Sequence, residues 1–169
     1  TSSAVHSYKR SHPSIALKAF GEIILFDCGE GTQRQLIYAQ ISPMKISKIF
    51  ITHYHGDHIL GIPGLLQSMN FRGRETKLEI YGPRGLEDLH KAVLSLSFPN
   101  LDFPEFNFPI EWIEIDTGTI IENEEYVIKA QRVKHNTIAL AYSVEELKNP
   151  KFLRQNAIDL GVPVGPAFG

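Results

Sequence analysis

Thr52-His53-Tyr54-His55-Gly56-Asp57-His58 gathers three imidazoles and a carboxylate within one short segment, directly after the apolar run Lys48-Ile49-Phe50-Ile51. Neutral imidazole and carboxylate are favoured zinc ligands, and a strand end holds ligands rigidly while leaving coordination positions open. If the chain stays extended through Tyr54, His53 and His55 project to one side. A turn at Gly56 then sends Asp57 and His58 toward a second ion, so the spacing suggests two metals. A polar loop rich in His, or a set of helix caps, is the plainer alternative. It leaves four polar side chains at the edge of an apolar segment with nothing to satisfy them.

The elements that must position these groups are legible around them. Ser14 to Ala19 and Glu22 to Phe26 flank Phe20-Gly21 and read as two antiparallel strands across a tight turn. Thr32 reads as the N-cap of a helix through about Ala39, with Leu36, Ile37 and Gln40 on successive turns. Lys48 to Thr52 is the strand that delivers the histidines. Pro63-Gly64 briefly break the line before a helix around Leu65 to Met69 that packs beneath the site. Lys77 to Tyr81 is a further strand, and Gly85 to about Leu96 has helical spacing, with Leu86, Leu89, Val93 and Leu96 in register. Ile110 to Ile115, Thr119 to Ile121, Tyr126 to Lys134 and Thr137 to Ser143 alternate more like antiparallel strands. Strand pairs interleaved with helices, without repeats or low-complexity segments, predict a layered α/β architecture.

The chain has 169 residues and a mass of 19 kDa, enough for one domain with its own core. A 43% hydrophobic and 21% charged composition is ordinary for a globular protein. No apolar run approaches the roughly 18 residues needed to span a bilayer, so no membrane is expected. A net charge of −2 argues against wholesale nucleic-acid coating, but RNA needs only a local basic patch plus metals. The single Cys28 cannot form an intramolecular disulfide, and no signal peptide begins the chain, so the cytoplasm is the simplest compartment. With no evident base to activate it, Cys28 reads as a buried small hydrophobe.

The H-x-H-x-D-H pattern resembles the metallo-β-lactamase superfamily. Phe26-Asp27-Cys28-Gly29-Glu30-Gly31-Thr32-Gln33 and His55 through Leu66, with its Gly-Ile-Pro-Gly-Leu-Leu continuation, resemble ribonuclease Z, the tRNA 3′-processing endonucleases. The resemblance implies an αββα sandwich, present in part, with its metal site on one edge. It also implies two zinc ions, precursor tRNA as substrate and a homodimer. On the motif positions it makes His53, His55, Asp57 and His58 ligands, and gives Asp57 an acid–base role in catalysis as well. By itself His135 is a strand-junction residue that would pass for surface. The match of Val133 to Thr137 with the family's third motif makes it a further ligand. Asp27 closes an apolar strand, where it could simply organise the following turn. The resemblance has it hold a ligand imidazole from behind, as metal-bound histidines require. Glu30 is read as a dipole partner for the helix beginning near Thr32. His6, His12 and His90 have no such context and read as solvent-facing or hydrogen-bonding histidines.

The resemblance also calls for a bridging aspartate and a last histidine, yet no His follows His135, and Asp159, the one later Asp, lies in an apparent helix, Phe152 to Leu160. The expectation is that residues 1–160 form the N-terminal portion of the fold. Residues 161–169 would begin a mobile arm that grips tRNA, carried by Gly161, Pro163, Gly165 and Pro166 in a run that cannot continue a helix. The function implied is a zinc-dependent endoribonuclease that removes the 3′ trailer from precursor tRNA and leaves a 3′-hydroxyl on the tRNA. Two alternatives stand beside it: another hydrolase of the superfamily acting on small esters or phosphodiesters, and a metal-binding or RNA-binding fragment without catalysis.

Overall fold

The computed structural model describes residue 5 and residues 7–100, 105–147, 154–161, 163 and 165. Its first five strands are β1 (Ile15–Ala19), β2 (Glu22–Phe26), β3 (Ile46–Phe50), β4 (Leu78–Gly82) and β5 (Ile110–Glu114), side by side in that order in one sheet. β1 and β2 form the expected hairpin, with Phe20 and Gly21 both at positive φ, 55° and 75°, as a two-residue turn between twisted strands demands. β2, β3, β4 and β5 run parallel. The expectation that Ile110 to Ile115 joins the antiparallel set is therefore corrected. Half-buried alternation is the same in either direction, and the crossover helix α4 (Leu86–Ser97) returns the chain to the start of β4's neighbour, which only parallel pairing allows. The second sheet is antiparallel, with β7 (Tyr126–Val133) between β6 (Gly118–Glu122) and β8 (Ala139–Glu146).

Alternation, offset in β3 by a register shift between Ile46 and Lys48, divides the central strands between two cores. Ile23 and Leu25 of β2, Ile46 and Ile49 of β3, and Leu78 and Ile80 of β4 face the helices. There they meet Leu36 of α1 (Thr32–Tyr38), Leu65, Leu66 and Met69, and Leu86 and Val93 of α4. Ile24, Phe50 and Tyr81 point the other way and pack on Tyr126 and Ile128 of the second sheet, with the Phe50 and Tyr81 rings stacked 4.6 Å apart. The described residues thus build helix, sheet and sheet layers of the α/β sandwich. Between β3 and α3 (Ile62–Phe71) lies a one-turn helix, α2 (Gly56–Ile59). A last helix, α5 (Arg154–Asp159), carries Asp159, which accepts a bond from Gln155. Among the described residues no helix is long and apolar enough to cross a membrane.

Three local details differ from the sequence expectation. Gly31, left-handed at φ 81°, caps α1, while Thr32 is its first residue and donates its hydroxyl to the Gly29 carbonyl at 2.7 Å. Pro63-Gly64 do not break the chain but sit inside the first turn of α3, where a missing N–H has no helical partner to lose. Ile37 and Leu96 face outward, 64% and 69% exposed, so both helices bury narrower stripes than their apolar spacing offers.

Candidate metal centre

Beyond Phe50 the chain stays extended and is clamped from both sides. The Ile51 N–H donates to the Tyr81 carbonyl at 2.8 Å, and the Tyr54 hydroxyl donates to the Pro83 carbonyl. From the second sheet, the Leu140 N–H donates to the Thr52 carbonyl at 2.9 Å and the Tyr142 hydroxyl to the Ile51 carbonyl at 2.7 Å. The Pro83 loop is itself held, because the Glu114 carboxylate accepts the N–H groups of Gly85 and Leu86 at 2.7 and 2.9 Å. Tyr54 lies over Gly82 and Gly85, so His53 and His55 are left to project together on the opposite side.

His53 Nε2 stands 3.1 Å from His55 Nδ1, and His135 Nε2 stands 3.4 Å from the same atom. The three candidate ligand atoms all lie within 4.8 Å of one another. Zinc–nitrogen bonds of roughly 2.0–2.1 Å in a tetrahedron place ligand nitrogens about 3.3–3.4 Å apart, close to the two separations from His55, and three imidazoles suit such an ion chemically. Burial first, then the neighbouring rings of His58, His55 and His135, push the His53 imidazole down to about 4, with Asp57 opposing the shift. It is accordingly neutral at ordinary pH, the form a metal ligand requires. His135 comes from the β7–β8 turn, carried to this edge by the bonds from β8 to Ile51 and Thr52.

Asp57 and His58 lie on α2, with the His58 ring packed 4.1 Å from that of His53. His58 Nδ1 donates to Asp27 Oδ2 at 2.7 Å, and its Nε2 lies 3.7 Å from Asp57 Oδ2. They form a neighbouring pair rather than part of the three-histidine set. Asp27 is buried and sits at φ 57°, a strained conformation that aspartate tolerates better than most residues. Burial raises its pKa, against the lowering effect of bonds from Thr52 and His58. Its carboxylate accepts the Thr52 N–H at 2.8 Å and the Thr52 hydroxyl at 2.9 and 3.0 Å, as well as His58.

The two glycine-bearing motifs meet at this point. A Cβ on Gly61 would come within 2.2 Å of the Gly29 carbonyl and 2.8 Å of the Cys28 carbonyl, and one on Gly29 within 2.2 Å of the Asp57 carbonyl. The Cys28 N–H donates to the His58 carbonyl, and the Gly61 N–H to the Cys28 carbonyl. Gln33 and Ser68, bonded at 2.5 Å, join α1 to α3 beside Gly64. The Gly-Glu-Gly-Thr-Gln and Gly-Ile-Pro-Gly runs are thus the joint between the Asp27 loop and the Asp57–His58 loop. Thr52 and Tyr54 were missed in the sequence. The signal for both was their interleaving with the candidate ligands, since each second residue of an extended segment must pack somewhere.

Cys28 is fully buried, and burial pushes its thiol up to about 12, so it is no nucleophile. His12 is buried beside Gly29, His90 stacks on Trp112 at 4.7 Å, and His6 lies outside the described residues. Gly161, Pro163 and Gly165 are exposed, and Pro166 lies outside the described residues. In the full-length protein His135→Ala is expected to lower metal content toward one ion or none, while His90→Ala leaves it unchanged. Elemental analysis of folded protein checks this, and equal loss in both variants would remove His135 from the ligand set.

A family model described as Anti-Pycsar protein Apyc1 matches residues 1–151. Ribonuclease Z of Methanothermobacter thermautotrophicus is 54% identical over 169 residues, covering 100% of this chain and 53% of the relative. Ribonuclease Z of Methanocaldococcus jannaschii is 47% identical, covering 98% and 52%. The chain therefore spans about half the length of the curated relatives it matches. Among solved structures, human tRNase Z, short form, superposes with a TM-score of 0.70 at 34% identity, covering 83% of this chain and 60% of that one. The metallo-beta-lactamase fold protein YhfI of Bacillus subtilis gives 0.66 at 19% identity, covering 84% and 55%, a likeness of fold alone.

Proposed function

The chain belongs to the family described as Anti-Pycsar protein Apyc1, has the metallo-β-lactamase fold and resembles ribonuclease Z along its length, and from this we propose that the whole protein is a zinc-dependent endoribonuclease that removes the 3′ trailer from precursor tRNA. The observation that carries the reading is the His53, His55 and His135 set, its ligand atoms within 4.8 Å of one another, beside Asp57 and His58, on a chain 54% identical to a ribonuclease Z. His53, His55 and His135 hold one zinc in this proposal, and Asp57 and His58 contribute to a second. Bound zinc supplies a water of lowered pKa and neutralises charge growing on the scissile phosphate.

This chain's residues do the rest. Asp27 fixes the His58 ring from behind, and the clamped strand end fixes His53 and His55, so the donors are preorganised. Asp57, on the one-turn helix next to the histidines, would take a proton from the attacking water and deliver it to the 3′ oxygen as its bond to phosphorus breaks, so the tRNA keeps its 3′-hydroxyl and the trailer the phosphate. The cytoplasm as compartment and a homodimer belong to the same proposal. A monomeric mass by light scattering would remove the dimer.

Residues from Gly161 onward are proposed to begin the arm that grips tRNA. The test is the full-length protein, with and without the segment from Gly161 to the next core strand, assayed on precursor tRNA and on bis(p-nitrophenyl) phosphate. The intact protein should release the trailer and leave a 3′-hydroxyl. Arm deletion should weaken tRNA binding at least about tenfold, as multi-site RNA grips do when one contact surface goes, and spare the small diester. Unchanged tRNA affinity would make the segment a linker, and loss of both activities would make it part of the core. The description of the matching family differs from that of the ribonuclease Z relatives, and this favours a second reading, another hydrolase of the superfamily acting on small esters or phosphodiesters. Turnover of small diesters with intact precursor tRNA would establish it.

A further inference from the structure

Thr52 Oγ1 lies 2.9 Å from His53 Nδ1 and 2.9 and 3.0 Å from the two Asp27 oxygens. An ionised carboxylate only accepts, so the single hydroxyl proton goes to Asp27 and the oxygen accepts from His53 Nδ1–H. That fixes the His53 tautomer and leaves its Nε2 lone pair facing His55 and His135. His58 is fixed in the same sense by the same carboxylate, with Nδ1–H on Asp27 and Nε2 toward Asp57. The remaining polar groups of Thr52 are also engaged. Its N–H donates to Asp27 Oδ1, and its carbonyl accepts from Leu140 of β8, the strand that follows the His135 turn.

We propose that Thr52 is a positioning residue that relays the hold of Asp27 to His53, so that one buried carboxylate orients imidazoles at both ion positions. The proposal rests on reading the histidines as metal ligands. Asp27 grips His58 directly at 2.7 Å, the Thr52 hydroxyl being farther from that nitrogen at 3.4 Å, and holds His53 only through the hydroxyl, which makes the two arms separable. Valine at 52 keeps the shape but leaves the His53 Nδ1–H without its acceptor. Serine keeps the oxygen.

The experiment is calorimetric titration of zinc into the metal-free full-length protein, wild type against Thr52→Val, Thr52→Ser and Asp27→Asn, with thermal unfolding of each metal-free form. Losing a partner behind a ligand imidazole typically costs about 10–100-fold in metal affinity, and that is the expected loss for Thr52→Val, confined to one of two binding steps. Thr52→Ser should stay within about threefold of wild type, because the accepting oxygen remains. Asp27→Asn should weaken at least one step, since the Thr52 N–H and His58 Nδ1–H are accepted by different oxygens and the amide keeps only one of them. Wild-type affinity in a folded Thr52→Val protein would overturn the relay, as would equal losses in the valine and serine variants. A wild type that takes up no zinc would overturn the metal reading itself, which is a distinguishable failure. If Thr52→Val does not fold, the imidazole nitrogen shifts of His53 in metal-free wild type decide: an Nδ1-protonated ring supports the relay and an Nε2-protonated ring overturns it.

Discussion

Asp57→Ala in the full-length protein is expected to lower precursor-tRNA cleavage by about 10²- to 10⁴-fold, the usual worth of a positioned acid or base. Affinity for the tRNA should stay within a few fold, because proton transfer acts in the transition state and not in binding. Asp57 stands at the start of α2 with its carboxylate 3.7 Å from His58 Nε2, beside the proposed ion position but outside the three-histidine set. Metal content measured on the same samples separates its two proposed roles. Lost cleavage with metal retained identifies proton transfer, and both lost together identify a ligand first of all. More than about a tenth of wild-type activity remaining would end the acid–base assignment, since such catalysis is rarely worth so little.

The second large effect falls on a residue with no functional group. Gly61→Ala should cost about 3 kcal/mol, at the upper end for overpacking, because the new Cβ meets the Gly29 and Cys28 carbonyls, which are backbone and cannot swing aside. At roughly 2–4 °C per kcal/mol for a chain of this size, the unfolding midpoint should fall by roughly 6–12 °C. Zinc uptake should fall with it, since the displaced loops carry Asp27 on one side and Asp57 and His58 on the other. Gly64→Ala is the control. Its Cβ meets only the far end of the Gln33 side chain, so it should cost about 1 kcal/mol, the worth of the Gln33–Ser68 hydrogen bond. Differential scanning calorimetry with metal analysis checks both. An unshifted midpoint for Gly61→Ala would show that the two loops can part without consequence.

Much of this was written locally in the chain. The Phe20-Gly21 hairpin, the strand ahead of His53 and the helix after Gly85 follow from turn chemistry and apolar period, which act over a few residues and so can be read from a few residues. The order His-x-His likewise obliges both rings to one side of an extended segment. Contacts made across the fold were not written there. Seven histidines are equivalent as letters, but the hydrogen bonds from β8 to Ile51 and Thr52 bring His135 to 3.4 Å from His55, while His90 is spent on Trp112. Asp27 could have served its own turn. Its left-handed backbone and the approach of the α2 loop give it His58 and Thr52 instead. The direction of β5 was open because a half-buried strand alternates identically whichever way it pairs, and only the α4 crossover decides it. Periodicity says which side a residue faces, and the close passage of separate loops, permitted by Gly29 and Gly61, says what it meets there.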